Sequence, residues 1–222
     1  MTSGVRLILL GKQGSGKGTQ AVRLADHYGI AHLSTGDLFR AAARAGTPSG
    51  LEAIEYMDRG ELVPDDIVLK VVREQMRRGG LMDDGFVLDG FPRTLAQAEA
   101  LEAELAAADR PLDVAIDLEV PTEIVLDRIA GRRVCEDCGT TYHLTMPPKV
   151  AGVCDVCGGT VSQRDDDTEA SVMRRLELYH TATMPILDFY RGLGRLVEID
   201  GMGSGDEVFD RVRTAVDGRL GG

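Results

Sequence analysis

The stretch VRLILLGKQGSGKGT at residues 5–19 decides how this chain folds. Its first half is a short apolar run typical of a buried strand, its glycines allow a tight turn, and a helix is predicted from Lys17 onward. The first amide N–H groups of a helix lack carbonyl partners and the macrodipole is positive there, so a polyphosphate can accept their hydrogen bonds while Lys17 supplies a mobile charge. The GxxxxGK spacing therefore predicts a phosphate-binding loop, the alternative being a glycine-rich turn without a ligand.

Two features near this loop concern magnesium. Gly18 follows the lysine where such loops usually have Ser or Thr, and Thr19 offers its hydroxyl one position later, so the pattern does not support direct ligation by that hydroxyl. Asp89 follows the apolar run at residues 86–88, and a carboxylate at the end of a buried strand suits magnesium or its waters. The alternative for Asp89 is a residue that caps a turn.

Composition limits the classes of function. The 222 residues suffice for one large domain, or one domain with an insertion, and 43% apolar with 27% charged residues is ordinary globular composition. A formal net charge of −11 argues against a broad nucleic-acid surface, so anionic substrates must be met by local groups of cations. No apolar run approaches membrane-spanning length, and residues 1–4 lead into the first strand without a signal peptide, so we expect a cytoplasmic protein.

Strand and helix patterns alternate along the chain. Apolar runs predict strands at residues 5–10, 30–33, 86–89, 114–118 and 196–199. A helical pattern precedes every strand after the first; one helix runs from Pro64 to Arg78 before Gly79, and another is expected to kink at Pro185. This alternation implies right-handed crossovers and a parallel sheet with helices on both faces, which binds its ligand at the carboxyl ends of the strands. The phosphate-binding loop and Asp89 both fall at that edge.

The pattern breaks between residues 131 and 167, which predicts an inserted subdomain holding all 4 cysteines. Their spacing is that of a four-thiolate zinc site, Cys135-x2-Cys138-x15-Cys154-x2-Cys157. We favour zinc over free thiols or disulfides. Because four protein ligands leave no open position, such a zinc ion would be structural. The acidic residues beside the cysteines argue against a zinc ribbon that binds nucleic acid.

Arginines recur beside the predicted turns, namely Arg40, Arg93, Arg128, Arg132, Arg164 and Arg175. Arginine binds phosphate oxygens through paired hydrogen bonds, so several arginines in one cleft would hold two polyphosphates and neutralise charge on a transferred phosphoryl group. The alternative for each is a solvated or ion-paired surface residue. The histidines are scattered and predict no catalytic arrangement, but transfer to an anionic monophosphate needs no general base.

Motifs along nearly the whole chain resemble those of adenylate kinases in order and spacing. They are GKQGSGKGTQ at 11–20, STGD at 34–37 with Arg40, DGFPRT at 89–94, GRR at 131–133, YH at 142–143, PPK at 147–149 and RDDD at 164–167. The insertion at 131–167 looks like the lid of the long bacterial form in its zinc-bearing variant, and a hydroxyl at Thr19 is that family's version of the loop. Two positions depart from the family: Gln13 replaces its usual proline, and Glu61 replaces a common lysine.

The resemblance implies the reaction ATP + AMP ⇌ 2 ADP with Mg²⁺, on an α/β P-loop NTPase fold with a five-stranded parallel sheet. It implies that the ATP phosphates are held by Gly14, Ser15, Gly16, Lys17, Gly18 and Thr19, with Arg128 and Arg132 clamping ATP from the lid base. The adenine of ATP would be bordered by Thr141, Tyr142 and the backbone at Gly203. The AMP site would consist of Thr35, Arg40, Glu61, Leu62, Val63, Gly90, Phe91, Pro92, Arg93 and Gln97, with Arg164 and Arg175 reaching over the transferred phosphoryl group. The catalytic set would be Lys17, Asp89, Arg93, Arg132, Arg164 and Arg175.

The same resemblance divides the chain into three parts. The core would comprise residues 1–33, 64–130 and 168–222, the mobile AMP-binding subdomain residues 34–63, and the zinc-bearing lid residues 131–167. A lid that closes only over both nucleotides would exclude water, which competes as a phosphoryl acceptor. We expect a monomer that binds ATP, AMP and ADP and has neither nucleic acid nor membrane as a partner.

Three alternatives stay open. A kinase for another monophosphate, such as a UMP/CMP kinase or a GTP-dependent AMP kinase, would share the fold, although the long zinc-type lid and Gln97 make it a poorer match. A non-enzymatic, nucleotide-sensing zinc module would not need Lys17, Asp89 and the whole set of arginines. A P-loop hydrolase would release phosphate from ATP without AMP.

Overall fold

A computed structural model describes residues 4–77 and 80–221 of the chain. Residues 1–3, the helix end expected at Arg78 and the glycine at position 79 lie outside the described residues. The strands are β1 (Arg6–Leu10), β2 (Ala31–Ser34), β3 (Phe86–Asp89), β4 (Val114–Glu119), β5 (Arg132–Cys135), β6 (Thr141–His143), β7 (Val161–Ser162) and β8 (Leu196–Asp200). The α-helices are α1 (Lys17–Tyr28), α2 (Thr35–Arg44), α3 (Pro48–Asp58), α4 (Asp65–Arg77), α5 (Leu81–Asp84), α6 (Leu95–Ala107), α7 (Thr122–Ala130), α8 (Glu169–Leu178), α9 (Met184–Gly192) and α10 (Gly205–Leu220).

The larger sheet has 5 strands in the order β2-β3-β1-β4-β8, and every neighbouring pair is parallel. All residues of β1 are buried, because helices cover both faces of the sheet. Leu9 of β1 pairs with Asp89, the last residue of β3, so these two strands end within one residue of each other. Leu10 of β1 pairs with Asp117 of β4, which continues two residues further to Glu119. The parallel α/β fold is confirmed, and it brings Asp89 to the edge where the loop after β1 begins.

Successive residues of β1 serve opposite faces of this sheet, since side chains alternate along a strand. Ile8 and Leu10 belong to an apolar cluster with residues of α2, α3, α4, α6 and α9. Leu7 and Leu9 belong to a second cluster with residues of α1 and α10. The helices therefore form two layers, one on each face of the sheet. Among the described residues, no helix combines the length and the apolar character needed to cross a bilayer.

Two segments of the chain were predicted to be insertions, and the first of them contributes apolar residues to the cluster of Ile8 and Leu10. The helical insertion, residues 34–63, contains α2 and α3. Near the end of this segment the chain passes close to α8 at Gly60. Gly60 has a φ of 71°, and an added Cβ would lie 2.4 Å from the Ser171 carbonyl oxygen, so only glycine fits there. The cysteine-bearing insertion, residues 131–167, contains a three-stranded antiparallel sheet in the order β6-β5-β7.

The kink expected at Pro185 takes the form of a π-helical segment just before it. Tyr179–Thr183 joins α8 to α9, and the Met184 N–H donates to the carbonyl of Tyr179, five residues back. Proline lacks an N–H and its ring crowds the carbonyl of the preceding turn, so the ordinary hydrogen-bond ladder cannot continue through this point. The wider turn keeps the two helices continuous.

Candidate active site

The loop between β1 and α1 has the geometry of an anion cradle. Gly16 precedes α1 with a φ of 103°, and no side chain caps the helix start, so the first N–H groups of α1 are left for a ligand. Gly14 has a φ of 80° and packs against Ile129 of α7, where an added Cβ would lie 2.8 Å from Cγ1. Glycine is therefore required at both turns of the loop.

Lys17 folds back over this loop. Its Nζ donates to the carbonyl oxygens of Gly11 and Lys12, each at 2.7 Å. Burial in the cleft lowers the pKa of Lys17 to about 8; Arg93 lowers it further, while Asp89 opposes the shift. A bound polyanion would stabilise the charged form of this lysine and raise its pKa again.

Asp89 lies where the parallel sheet predicted, at the carboxyl end of β3 beside the start of α1. An added Cβ on Gly18 would lie 3.4 Å from the Asp89 Oδ2, so the glycine that interrupts the usual loop motif keeps the backbone close to this carboxylate. His32 approaches from β2, with its Nε2 4.0 Å from Asp89 Oδ2. The position suits a ligand of magnesium or of its waters.

A cleft opens next to this edge. Six of the residues predicted for the AMP site line it, namely Thr35, Leu62, Val63, Gly90, Arg93 and Gln97. Four lining residues were not predicted, namely Gly36, Phe39, Met57 and Val68. Gly36 belongs to the STGD motif at 34–37. The apolar side chains of Phe39, Met57 and Val68 are buried and belong to the core cluster, so the sequence carried no signal that separates the wall of the cleft from the core.

Hydrogen bonds hold the polar wall of the cleft in place. The Gly90 carbonyl accepts from the Thr35 hydroxyl at 3.0 Å and from Arg93 Nε at 2.8 Å. Gln97, which is buried, accepts from the Arg93 backbone N–H through Oε1 at 2.8 Å and donates through Nε2 to Asp65 at 2.7 Å. Asp65, for which the sequence predicted no role in the site, fixes the orientation of the Gln97 amide.

Five of the six arginines gather around one space. Burial lowers the pKa of Arg93 to about 10, and the nearby positive charges of Arg175 and Arg40 lower it further. Burial also lowers the pKa of Arg164 to about 10, with further lowering by Arg40 and Arg132. Arg40 and Arg164 also approach the same carboxylate oxygen, Asp37 Oδ1, at 2.5 and 3.8 Å, so these guanidinium groups lie in a common region. Such a region favours an anionic ligand, which relieves the repulsion.

Three aspartates balance part of this charge. Arg40 pairs with Asp37 at 2.5 Å, and Arg175 pairs with Asp166 at 2.7 Å. Burial alone would raise the pKa of Asp166, but Arg175 and other nearby arginines hold it below its usual value. Arg132 forms a two-point ion pair with Asp167, whose side chain is completely buried. The carboxylates therefore orient the guanidinium groups.

The remaining predicted residues lie around this centre. Arg128 donates to the carbonyl oxygens of Ser15 and Gly201, both at 3.3 Å, and so links the phosphate-binding loop to the loop that carries Gly203. Thr141 is exposed on β6. The Tyr142 hydroxyl contacts Cys154 Sγ at 3.4 Å.

Three other residues predicted for the AMP site have side chains that contact the surrounding protein and do not line the cleft. Glu61 pairs with Arg59 at 3.0 Å on the surface, beside the cleft-lining Leu62. Phe91 is buried in the core cluster and Pro92 is buried next to it.

The four cysteine sulfurs converge, with all Sγ atoms within 4.8 Å of one another. Cys135 lies 3.4 Å from Cys157, and Cys138 lies 3.5 Å from Cys154, which is well beyond the ~2.05 Å of a disulfide bond. A tetrahedral zinc ion with Zn–S bonds of ~2.3 Å has sulfurs roughly 3.8 Å apart. The arrangement is compatible with zinc.

Two matching backbone turns present these sulfurs. The Gly139 N–H donates to Cys135 O at 3.0 Å, and the Gly158 N–H donates to Cys154 O at 2.9 Å. Both glycines have positive φ, 74° and 77°, which a residue with a Cβ rarely adopts. Each pair of cysteines is thus held by its own turn.

A family model described as adenylate kinase matches residues 9–195. The chain belongs to the adenylate kinase family. The adenylate kinase of Carboxydothermus hydrogenoformans is 50% identical over 213 residues, covering 96% of this chain and 99% of the relative. That of Geobacillus sp. (strain WCH70) is 49% identical over 215 residues, with 96% and 99% covered. That of Thermodesulfovibrio yellowstonii is 51% identical over 209 residues, with 94% and 97% covered.

One buried carboxylate of this adenylate kinase family member was missed by the sequence analysis. Asp117 on β4 is 3% exposed and accepts a hydrogen bond from the Tyr179 hydroxyl at 3.2 Å. Burial raises the pKa of Asp117 to about 6, while Tyr179 and Lys17 act in the opposite direction. The available signal was a charged residue within the apolar strand VAIDLE, since buried strands seldom carry an unpaired charge.

Proposed function

We propose that the chain catalyses reversible phosphoryl transfer from Mg²⁺-ATP to AMP, giving two ADP, and so maintains the balance of adenine nucleotides. The observation that carries the proposal is the convergence of Arg40, Arg93, Arg132, Arg164 and Arg175 near Lys17, at the edge where the cleft meets the phosphate-binding loop. Two anionic nucleotides placed end to end would meet at this group of cations. Family membership supports the same reaction.

In this proposal the ATP phosphates lie on the N–H groups of residues 14–19 and on Lys17. Arg128 and Arg132 hold ATP from the other side, and Tyr142 and Thr141 border its adenine together with the backbone at Gly203. These contacts fix the γ-phosphate in line with its acceptor, and alignment accounts for much of the rate enhancement in phosphoryl transfer.

AMP occupies the cleft between the helical insertion and the loop after β3. Thr35, the backbone of residues 61–63 and Gln97 hold the nucleotide, while Arg40 and Arg93 bind its phosphate. The AMP phosphate is already an anionic nucleophile, so no side chain has to remove a proton. Arg164 and Arg175 neutralise charge on the phosphoryl group in flight.

Magnesium enters with ATP, as adenylate kinases use it, and Asp89 would bind the ion or its waters. Magnesium supplies charge neutralisation at the phosphates. Zinc would be held by the four cysteines, which offer no open position, and it would stabilise the cysteine-bearing insertion without taking part in the chemistry.

The two insertions act as moving parts in this proposal. Residues 34–63 would close over AMP and residues 131–167 over ATP, against a core formed by the rest of the chain. Closure over both nucleotides excludes water, the competing acceptor. The proposed enzyme is a cytoplasmic monomer that acts on ATP, AMP and ADP, and its net charge of −11 supports the absence of a nucleic-acid partner.

Steady-state assays with several acceptors and donors test the function. ADP formation is measured with ATP and each of AMP, UMP, CMP and GMP, and then with GTP in place of ATP. We expect the highest kcat/KM for the pair ATP and AMP. Preference for UMP or CMP, or for GTP as donor, would replace the substrate assignment. Phosphate release without AMP at the rate of ADP formation with AMP would exclude a transferase.

A further inference from the structure

Gln13 connects the phosphate-binding loop to the base of the cysteine-bearing insertion. Its Nε2 donates to Asp167 Oδ1 at 3.1 Å, which joins residues 154 positions apart in the sequence. The Gln13 Oε1 is buried and has no hydrogen-bond partner among the described residues. The contact between the Gln13 side chain and Asp167 therefore consists of the hydrogen bond that Nε2 donates.

Asp167 in turn holds Arg132. The guanidinium donates through Nε to Asp167 Oδ2 at 2.9 Å and through Nη2 to the same oxygen that Gln13 contacts. Arg132 begins β5, the first strand of the cysteine-bearing insertion, whereas Asp167 is the last residue of that insertion. This ion pair closes the base of the insertion, and Gln13 attaches the closed base to the loop after β1.

Burial makes the three-residue contact sensitive to loss of one member. The Asp167 side chain is 0% exposed and the Arg132 side chain 15% exposed, so water cannot readily replace a missing donor. A buried carboxylate needs several hydrogen bonds to remain charged and oriented. The positive charge of Arg132 also repels that of Lys17 and so contributes to lowering the pKa of the lysine.

We propose that Gln13 is a positioning residue for ATP. By donating to Asp167, Gln13 orients the Arg132 guanidinium over the phosphate-binding loop and couples the position of the cysteine-bearing insertion to that of the loop. This inference rests on the proposed function, since it assumes that the loop and Arg132 bind the same ATP. Gln13 does not touch the AMP cleft, so its effect is confined to the donor nucleotide.

Substitution of Gln13 tests the coupling. Gln13→Ala removes the donor, and Gln13→Glu keeps the shape but places a second carboxylate against Asp167. Loss of one hydrogen bond to a charged group predicts a KM for ATP about tenfold higher in Gln13→Ala, and higher still in Gln13→Glu. The KM for AMP should change by less than about twofold. Calorimetric titration with a non-hydrolysable ATP analogue and Mg²⁺ should show the same ratios in Kd.

Gln163→Ala is the matched control. Gln163 Nε2 donates to the backbone carbonyl of Asp167 at 3.4 Å, so this variant removes a bond to the same residue but leaves its carboxylate untouched. We expect its KM for ATP to equal that of the parent. The inference is overturned if Gln13→Ala leaves the KM for ATP unchanged, raises both KM values equally, or matches Gln163→Ala. Failure of the parent to form ADP from ATP and AMP would instead refute the proposed function.

Discussion

Raising the pH from 7 to 9 should weaken the binding of Mg²⁺-ATP through the charge of Lys17. Burial, with help from Arg93 and Arg132, lowers the pKa of this lysine to about 8 in the free protein, while Asp89 and Asp117 act in the opposite direction. Phosphates placed on the lysine favour its charged form, so its pKa in the complex returns toward roughly 10.4. The complex then holds more protons than its free components, and affinity falls as the pH rises through the lower pKa.

The magnitude follows from the two pKa values. With a pKa of about 8, the free protein carries the lysine charge in ~90% of molecules at pH 7 and in ~10% at pH 9. Binding at pH 9 therefore takes up about 0.9 proton, and the affinity falls about tenfold, or about 1.4 kcal/mol, relative to pH 7. The pKa values of Arg93 and Arg164, both about 10, keep these groups mostly charged over this range.

Calorimetry measures both quantities. A non-hydrolysable ATP analogue with Mg²⁺ is titrated into the protein at pH 7, 8 and 9, in two buffers that differ in ionisation enthalpy. Proton uptake should grow from about 0.1 at pH 7 to about 0.9 at pH 9 and disappear in Lys17→Met. Uptake below about 0.2 at pH 9 in the parent, or equal uptake in Lys17→Met, would refute the reasoning.

Three further predictions concern other parts of the molecule. Purified protein should contain about one zinc ion per chain; Cys138→Ser should lower zinc content and Tm more than kcat, whereas the exposed Met146→Ser should change neither. If Cys138→Ser keeps both its metal and its Tm, the zinc assignment is wrong. Arg93→Ala should raise the KM for AMP at least about tenfold and the KM for ATP far less, because Arg93 lines the cleft; equal increases in steady-state assays would contradict this role. Leu105→Ala should cost about 2–5 kcal/mol in the free energy of unfolding, since Leu105 is 0% exposed, while the half-exposed Leu51→Ala should cost little; urea denaturation distinguishes the two.

Local patterns were enough to predict the elements that carry the site. The apolar run before Gly11, the loop glycines and the helix at Lys17 all appear in the structure as predicted, because each depends on neighbours within a few residues. Each pair of cysteines is presented by a short turn with its own glycine for the same reason, whereas the contact between the two pairs is made by the fold of the insertion. Asp89 reaches the loop because parallel strands end at one edge of the sheet.

The partners of the charged groups could not be predicted in the same way. Nothing in the spacing of Asp65, Asp167 or Tyr179 indicates that they contact Gln97, Arg132 and Asp117, respectively. These contacts join elements far apart in the chain, and they depend on the order of the strands and on how the insertions return to the core. The π-helical segment before Pro185 likewise reflects how the chain accommodates a missing donor inside a packed helix.

The amino-acid sequence by itself determined the phosphate-binding loop, the alternation of strands and helices, and the cysteine spacing, because hydrophobic period, glycine positions and short motifs act locally. Only the tertiary structure decided which side chains face one another: the walls of the cleft, the group of arginines near Lys17, and the contact from Gln13 through Asp167 to Arg132. Burial and opposing charges arise when distant segments pack together, so pKa shifts and ion pairs belong to the folded chain and not to any one stretch of it.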